Sequence, residues 1–455
     1  GSEINHYGVL DDTTVYVVTN RYNKEEIRTG NALYCVTAGR SNENREELVL
    51  GILYAGGRIS EAVEAFNKEN QDYYVTFKDY SEFQEPRKQA VLDMMSGNAP
   101  DILCTNGFHT AQLTGQKLLE DLYPYLSDSG LEKELDSNIL KLLSDKEKHD
   151  GAPENPLYEL CLSYRIDAVI TGKNCLEDGK RWSDTLTEQA GENGQFLAGM
   201  SESELLDQLV ANNFDRLVDA SNKRCYFASD EFAALLECAK ELADDRLKYM
   251  DSYGVLEGAL DGIESGKALG ADFCSLEGIF NYQILSGFYP EGISVVPYPL
   301  TQTEGVGFTA GNSYGICSAS GHKEGAWEFL KFQLEEEWQE NYAGDDEVPM
   351  NKKALNRYIE RVTAVDGYMD ENQQFIEPVD RELSLTDMTI KLRPVSESEE
   401  ELFRELLLSV GHQSRQDEMI SEIVQDEAKA YFDGTRTGRD VMGRIQNRVS
   451  MYLQE

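Results

Sequence analysis

No run of about 18 consecutive apolar residues occurs in this chain, so no segment is long and apolar enough to cross a bilayer as a helix. Positive charge is scarce. There are 42 Lys and Arg against 83 Asp and Glu, a formal net charge of −41, which disfavours long-range attraction to nucleic acid or to an anionic membrane surface. Most of that acidity is expected on a solvated exterior. The eight cysteines include no Cys-x-x-Cys pair, and the five histidines fall at no ligand spacing, so neither a zinc site nor a dense disulfide framework is supported. The cysteines are expected to serve as small buried hydrophobes. Tryptophan is limited to three positions, with Trp327 expected in the core, Trp338 on the surface and Trp182 in a stretch without a readable pattern. Gly1-Ser2 reads as a cloning remnant, so an export signal is not expected in this sequence.

A chain of 455 residues with 40% hydrophobic content is long enough for two or three domains with a sizeable core. It is organised around residues 95–106. Ala90, Val91, Met94 and Met95 recur at helical spacing, Gly97 and Asn98 suit a left-handed cap, and Pro100 bars continuation of the helix. Ile102-Leu103-Cys104 then reads as a strand covered on both faces, whose carboxyl end delivers Thr105, Asn106 and Phe108 to a crevice. Upstream, residues 48–54 form the first strongly apolar strand, followed by a helix with Ile59, Ala62, Val63 and Phe66 on one face. The alternating Tyr73, Val75 and Phe77 give the next strand. This β-α-β-α-β order predicts a doubly wound sheet with its ligand site at the strand ends. Residues 1–47 differ in texture: Thr14 to Val18 and Ala32 to Val36 are β-rich, and a polar linker at 42–47 follows, so a small β extension is expected.

The Gly97-Asn98-Ala99-Pro100-Asp101 turn resembles that of the extracellular solute-binding proteins of ABC importers, of the maltose-binding type. Further signals of the same family follow in order. Asp121-Leu122-Tyr123-Pro124-Tyr125 is similar to its helix-to-turn motif, residues 157–164 to a crossing segment, and residues 292–299 to a second crossing. Ile263 to Ala268, Asn312 to Ser320 and Val348-Pro349-Met350-Asn351-Lys352 resemble later elements, and the two closing helical stripes, Ile420-Val424-Ala428-Phe432 and Val441-Ile445-Val449-Tyr452, match best. The resemblance covers roughly residues 48–455 and leaves 179–217 as a helical, polar insertion. It implies an α/β fold of two lobes, the type II periplasmic-binding-protein-like fold, each lobe a doubly wound, mostly parallel sheet. Lobe I would comprise 48–157 and 299–347. Lobe II would comprise 158–298 and 348–455, with a helical C-terminus. It also implies a monomeric receptor without cofactors, outside the cytoplasm in a periplasm or on a lipid anchor, that passes a small solute to an ABC permease.

The chain also carries partial matches to catalytic and ion-binding motifs. Gly311-Asn312-Ser313-Tyr314-Gly315 satisfies Gly-x-Ser-x-Gly, with Asp387 and His412 following in hydrolase order, but a strand-like segment follows Ser313 where a helix is needed. Gly262 to Lys267 has the wrong spacing for a phosphate loop, and Asp345-Asp346-Glu347 lacks the alternation of a calcium loop. His109 sits at a strand end and is a cleft candidate or a surface residue. What remains suits binding, since sugars need rings to stack on and polar groups for their hydroxyls. The candidate ligand contacts are Tyr54 and Arg58 after the first strand, Tyr80 and Glu82 after the second, Asn106 and Phe108 after the third, Tyr164 and Arg165 at the crossing, and Asp272 and Phe273 from lobe II. Carbohydrate is the leading ligand class; a peptide, a polyamine or a serine hydrolase substrate are the alternatives.

Overall fold

The computed structural model describes residues 4–11, 14–22, 28–37, 44–53, 57–108, 110–144, 156–173, 196–220, 222–244, 262–263, 265, 267–272, 278–286, 288–289, 292–299, 305–342, 347–369, 375–384 and 389–454. Two compact units emerge, residues 1–49 with 56–77, and residues 50–55 with 78–455. The first holds an antiparallel meander of Ile4–Asp11, Thr14–Tyr22 and Arg28–Thr37. The expected β extension is therefore present, with one strand, Ile4–Asp11, that its polar sequence did not suggest. In the same unit the helix Gly57–Glu69 buries Ile59, Ala62, Val63 and Phe66, the face its periodicity predicts. Asn67 ties that helix to the strand Tyr73–Asp79: its Oδ1 accepts from Val75 N at 2.6 Å and its Nδ2 donates to Val75 O at 2.9 Å.

Among the described residues, three larger sheets organise the second unit. In the first, Leu50 and Gly51 pair in parallel with Ile102 and Leu103, while Ser313–Ile316 runs antiparallel to both Ile102–Cys104 and Leu160–Cys161. The αβ junction has the expected form. Helix Pro86–Ser96 ends on Gly97 at φ 81°, whose N–H returns to Asp93 O, and Ile102–Cys104 is buried throughout. Gly51 is required here because an added Cβ would lie 2.9 Å from Pro100.

The second sheet, in the order Val348–Pro349, Ser163–Asp167, Val306–Ala310, Val410–Ser414, is parallel only between its last two strands. The third joins Phe196–Ala198, Ala268–Asp272, Val169–Gly172 and Ile293–Val296 in that order. One expectation is corrected. The sheets are mixed rather than mostly parallel, because antiparallel partners return from far along the chain. Ile293–Val296 pairs antiparallel with Val169–Gly172, and Val306–Ala310 with Ser163–Asp167.

A large core of this unit lies where four helices pack: Glu202–Asn212, Asp230–Leu242, Glu418–Phe432 and Gly438–Gln454. Ser229 caps the second by accepting from Phe232 N, and Asp417 caps the third through Ile420 N. Ile420, Val424, Ala428, Val441, Ile445 and Val449 are all fully buried, so both closing stripes face inward as read. Residues 201–212, by contrast, are no polar insertion: a Ser201/Glu204 capping box starts a helix whose Leu205, Leu206 and Leu209 join this core. Trp327 is buried as expected, whereas Trp338 is half-buried against Phe332 rather than exposed. The five cysteines with described side chains, Cys104, Cys161, Cys225, Cys238 and Cys317, are buried free thiols. Among the described residues no helix is long and apolar enough to cross a membrane.

Candidate functional site

The strand Ile102–Cys104 ends in a loop that its own side chains pin to the chain opposite. Asn106 Oδ1 accepts from Ser313 N at 2.8 Å and its Nδ2 donates to Gly311 O at 2.8 Å, while Thr105 N donates to Ser313 O at 2.8 Å. Gly107, at φ 80°, supplies the turn that brings Phe108 inward, and its carbonyl accepts from Arg87 Nε at 2.6 Å. Facing this loop are the strand Val410–Ser414 and the residues that lead from it into the helix Glu418–Phe432. Thr309 comes from the strand paired with Val410–Ser414, Glu159 immediately precedes Leu160–Cys161, and Phe214 opens the short helix Phe214–Leu217.

These elements enclose a cavity of about 390 Å³, within the usual range of roughly 300–1,000 Å³ for small-molecule sites. Its apolar wall is made by two rings, Phe108 and Phe214. Its polar wall is dominated by hydroxyls that are already bonded. Glu159, 6% exposed, accepts at Oε2 from Thr105 Oγ1 at 3.2 Å and from Thr110 Oγ1 at 2.8 Å. Thr309 Oγ1 donates to Asp167 at 2.7 Å, Ser313 Oγ to Gly311 O at 3.2 Å and Ser421 Oγ to Asp207 at 2.6 Å. Gln413 also lines the cavity, and its buried Oε1 has no hydrogen-bond partner among the described residues. Arg415 lies 3.9 Å from Glu159 Oε1 and 3.4 Å from Asp215.

Burial dominates the titration of two groups behind this wall. Asp167 is pushed up to about 6 by loss of solvent, partly offset by the hydroxyl of Thr309. His412 is pushed down to about 4 by the same cause, and its Nε2 pairs with Asn212 Oδ1 at 2.9 Å. A neutral imidazole already engaged at Nε2 differs from the base that a Ser313 triad requires. Ser313 itself opens a strand after a loop, the reverse of a nucleophile elbow, and Asp387 lies outside the described residues.

Of the sequence candidates, Asn106 and Phe108 line the cavity. Asn106 is spent on the clamp, with Oδ1 also accepting from Cys104 Sγ, so a single amide N–H remains for a solute. Tyr80 and Tyr164 are fully buried and belong to the core: their hydroxyls donate to Asp93 at 3.3 Å and Asp136 at 3.2 Å, and burial raises both phenols. Glu82 and Arg165 are exposed and outside the cavity wall, and Arg58 is exposed on the helix Gly57–Glu69. Asp272 ends the strand Ala268–Asp272 and accepts from Tyr298 Oη at 2.5 Å. Tyr54, His109 and Phe273 lie outside the described residues. Glu159, Phe214, Thr309, Gln413 and Arg415 were not anticipated. Only Phe214 carried a usable signal, an aromatic directly after the run of Leu205, Leu206 and Leu209.

A model of the family described as bacterial extracellular solute-binding protein matches residues 61–364. Solved structures of similar fold include a provisionally assigned oligosaccharide periplasmic-binding protein from Synechococcus sp. MITs9220, at 14% identity, covering 90% of this chain and 99% of that one with a TM-score of 0.51. An ABC substrate-binding protein from Listeria monocytogenes in complex with cycloalternan aligns at 16% identity over 90% and 99%, TM-score 0.48. An ABC transporter solute-binding protein from Thermotoga lettingae bound with α-D-tagatose aligns at 13% over 90% and 99%, TM-score 0.48.

Proposed function

The chain belongs to the bacterial extracellular solute-binding protein family, and from that premise we propose that it captures a small carbohydrate in the cavity between the 105–110 loop and the 410–421 segment. The observation that carries this reading is the wall itself. Two phenyl rings, Phe108 and Phe214, stand beside a set of fixed hydroxyl, amide and carboxylate groups, the combination that the apolar face and hydroxyl rim of a sugar call for. The volume suits a mono- or short oligosaccharide. The solute would then be delivered to the membrane subunits of an ABC importer, from a periplasmic or lipid-anchored monomer.

On this reading the lobes are 48–157 with 299–347, and 158–298 with 348–455, joined through the sheet that holds Ser163–Asp167 and Val306–Ala310. A solute touching Phe108 on one side and Phe214 on the other favours the closed arrangement by its differential contacts. Phe273, directly after Asp272, is a further proposed contact from the second lobe. No turnover is proposed, and steady ester or glycoside hydrolysis abolished by Ser313→Ala would overturn that. The direct test is a thermal-shift screen of sugars, peptides and polyamines followed by calorimetry. A solute at a hundred times its dissociation constant adds about 2.7 kcal/mol to stability. A peptide or polyamine that raises the melting temperature while every sugar leaves it unchanged would sink the carbohydrate assignment.

A further inference from the structure

We infer that Glu159 and Arg415 act as a pair that reads one hydroxyl of the solute: the hydroxyl gives its hydrogen to Glu159 Oε1 and accepts one from the Arg415 guanidinium. The site therefore selects sugars with a free hydroxyl at that position over those in which it is absent, fluorinated or methylated. This rests on the reading that the cavity is the site of a carbohydrate, and it names the residues that set specificity within that class.

Both charged residues line the cavity, and they are held by different means. The hydroxyls of Thr105 and Thr110 fix Glu159 through its Oε2, at 3.2 and 2.8 Å. Those bonds lock the buried carboxylate and leave its other oxygen, Oε1, for Arg415. Arg415 follows Ser414, the buried last residue of its strand, and its backbone N–H donates to Ala211 O at 3.1 Å. Its Nη1 stands 3.9 Å from Glu159 Oε1 and its Nε 3.4 Å from Asp215 Oδ1, and the guanidinium makes no hydrogen bond among the described residues. Charge alone places it, and its N–H groups remain to be given.

A gap of 3.9 Å is too long for a direct hydrogen bond and short enough for one oxygen to bridge. An oxygen about 2.8 Å from each atom sees the two at an angle of about 90°, within reach of a hydroxyl's donor and acceptor directions. An ionised carboxylate only accepts and a guanidinium only donates, so the bridging group has to do both. A hydroxyl does. A fluorine or an ether oxygen satisfies Arg415 and leaves Glu159 without a donor, and a methylene satisfies neither. The surroundings sharpen the choice: the Glu159 side chain is 8% exposed and that of Asp215 74%, so solvent screens the guanidinium least on its Glu159 side. A site built to bond a hydroxyl rejects the analogue lacking it far more strongly than an apolar pocket rejects a missing methylene.

The test is calorimetry on the full chain with glucose, galactose, maltose, raffinose and any further sugar that raises the melting temperature. The monodeoxy, monodeoxyfluoro and O-methyl derivatives of whichever sugar binds follow. One position is expected to stand out, its deoxy and fluoro derivatives binding at least about thirtyfold more weakly than the parent. In Arg415→Gln and in Glu159→Gln the parent binds more weakly, and the penalty at that same position falls at least about fivefold while penalties elsewhere stay within about twofold. A merely structural role would lower affinity for parent and derivatives alike. The absence of any such position, relief at different positions in the two variants, or an unchanged penalty overturns the inference, while binding of the parent leaves the carbohydrate reading intact. A chain that takes peptides or polyamines and no sugar, or none of these probes, removes both. Because Glu159 is buried, the melting temperature of its variant is read first. Should that variant not fold, Arg415→Gln and Arg415→Ala, at a side chain 27% exposed, carry the test.

Discussion

The two walls of the cavity are held in different ways. The 105–110 wall is clamped by side-chain hydrogen bonds: its own Asn106 joins two backbone groups at Gly311 and Ser313, and Arg87 of the preceding helix holds the Gly107 carbonyl. The 410–421 wall owes its place to distant pairing. Val410–Ser414 lies parallel to Val306–Ala310, and the following helix rests its Ile420 and Val424 on a large core. Both walls depend on partners far along the chain, but the first is held by polar bonds and the second rests on an apolar core. Damage to the second should therefore spread to the fold, and damage to the first should stay near the site.

Phe214→Ala is expected to have the largest effect. Phe214 is 3% exposed and part of the four-helix core, so truncation should cost about 3–5 kcal/mol of stability as well as solute affinity. Phe108, 7% exposed in a smaller cluster with Tyr80 and Leu103, should lose less stability for a similar fall in affinity. Denaturant titration beside calorimetry separates the two effects. Equal destabilisation would show that the walls are not held differently after all. Next is Asn106→Ala, which leaves the Ser313 N–H without its partner and the Gly311 carbonyl with the Ser313 hydroxyl alone. A loss of about 1–3 kcal/mol is expected, with affinity falling in step because Phe108 is no longer positioned. A fully stable variant with unchanged affinity would show the clamp to be incidental.

A pH titration sharpens the contrast further, because burial shifts Asp167 and His412 behind the second wall and also raises Asp417 within it. Asp167 has its folded value raised to about 6, above the ordinary carboxylate value of about 3.9. Its contribution is thus fully present below about pH 4 and is lost as pH rises through 6, on the order of 2 kcal/mol. His412 acts in the opposite sense. With its folded value lowered to about 4 from 6.5, its contribution is present above 6.5 and lost as pH falls toward 4. The two slopes partly cancel in the native chain. Asp167→Asn should therefore uncover a steeper loss of stability on acidification between pH 6.5 and 4, read by denaturant midpoints at each pH; superimposable profiles would refute the assignment.

The difference between the walls also explains how much was legible from sequence. Met95 to Asn106 carries its own punctuation, a left-handed glycine and a proline before a short apolar strand, and it yielded Asn106 and Phe108. The polar stretch Val410 to Ser414 has no pattern of its own, and it becomes a wall only by pairing with a strand about a hundred residues earlier. Thr309 and Gln413 follow from that pairing, Glu159 from the pairing of Leu160–Cys161 with Ser313–Ile316, and none of the three had a local signature. Tyr80 and Tyr164 were misread for the converse reason: a tyrosine near a strand end looks like a ligand contact, whereas Asp93 and Asp136 give both hydroxyls a buried partner. The family resemblance supplied the order of elements, and the mixed strand directions came from long-range returns that no local periodicity encodes.

The smallest effect is expected where the walls meet. Arg87, already bonded to Gly107, also pairs with Glu418 at the start of the opposing helix. Glu418→Gln removes that link while keeping the Arg87–Gly107 bond, so it isolates the link from the clamp. Glu418 is 66% exposed on its side chain, and a pair this wet is screened by solvent and salt, so no more than about 1 kcal/mol of stability should be lost. Solute affinity should change by less than about threefold, and that change should vanish at high ionic strength because the native pair is then screened as well. Calorimetry at two salt concentrations reads both points. A salt-independent loss of tenfold or more would mean that this pair, rather than the core beneath Ile420 and Val424, sets where the second wall stands.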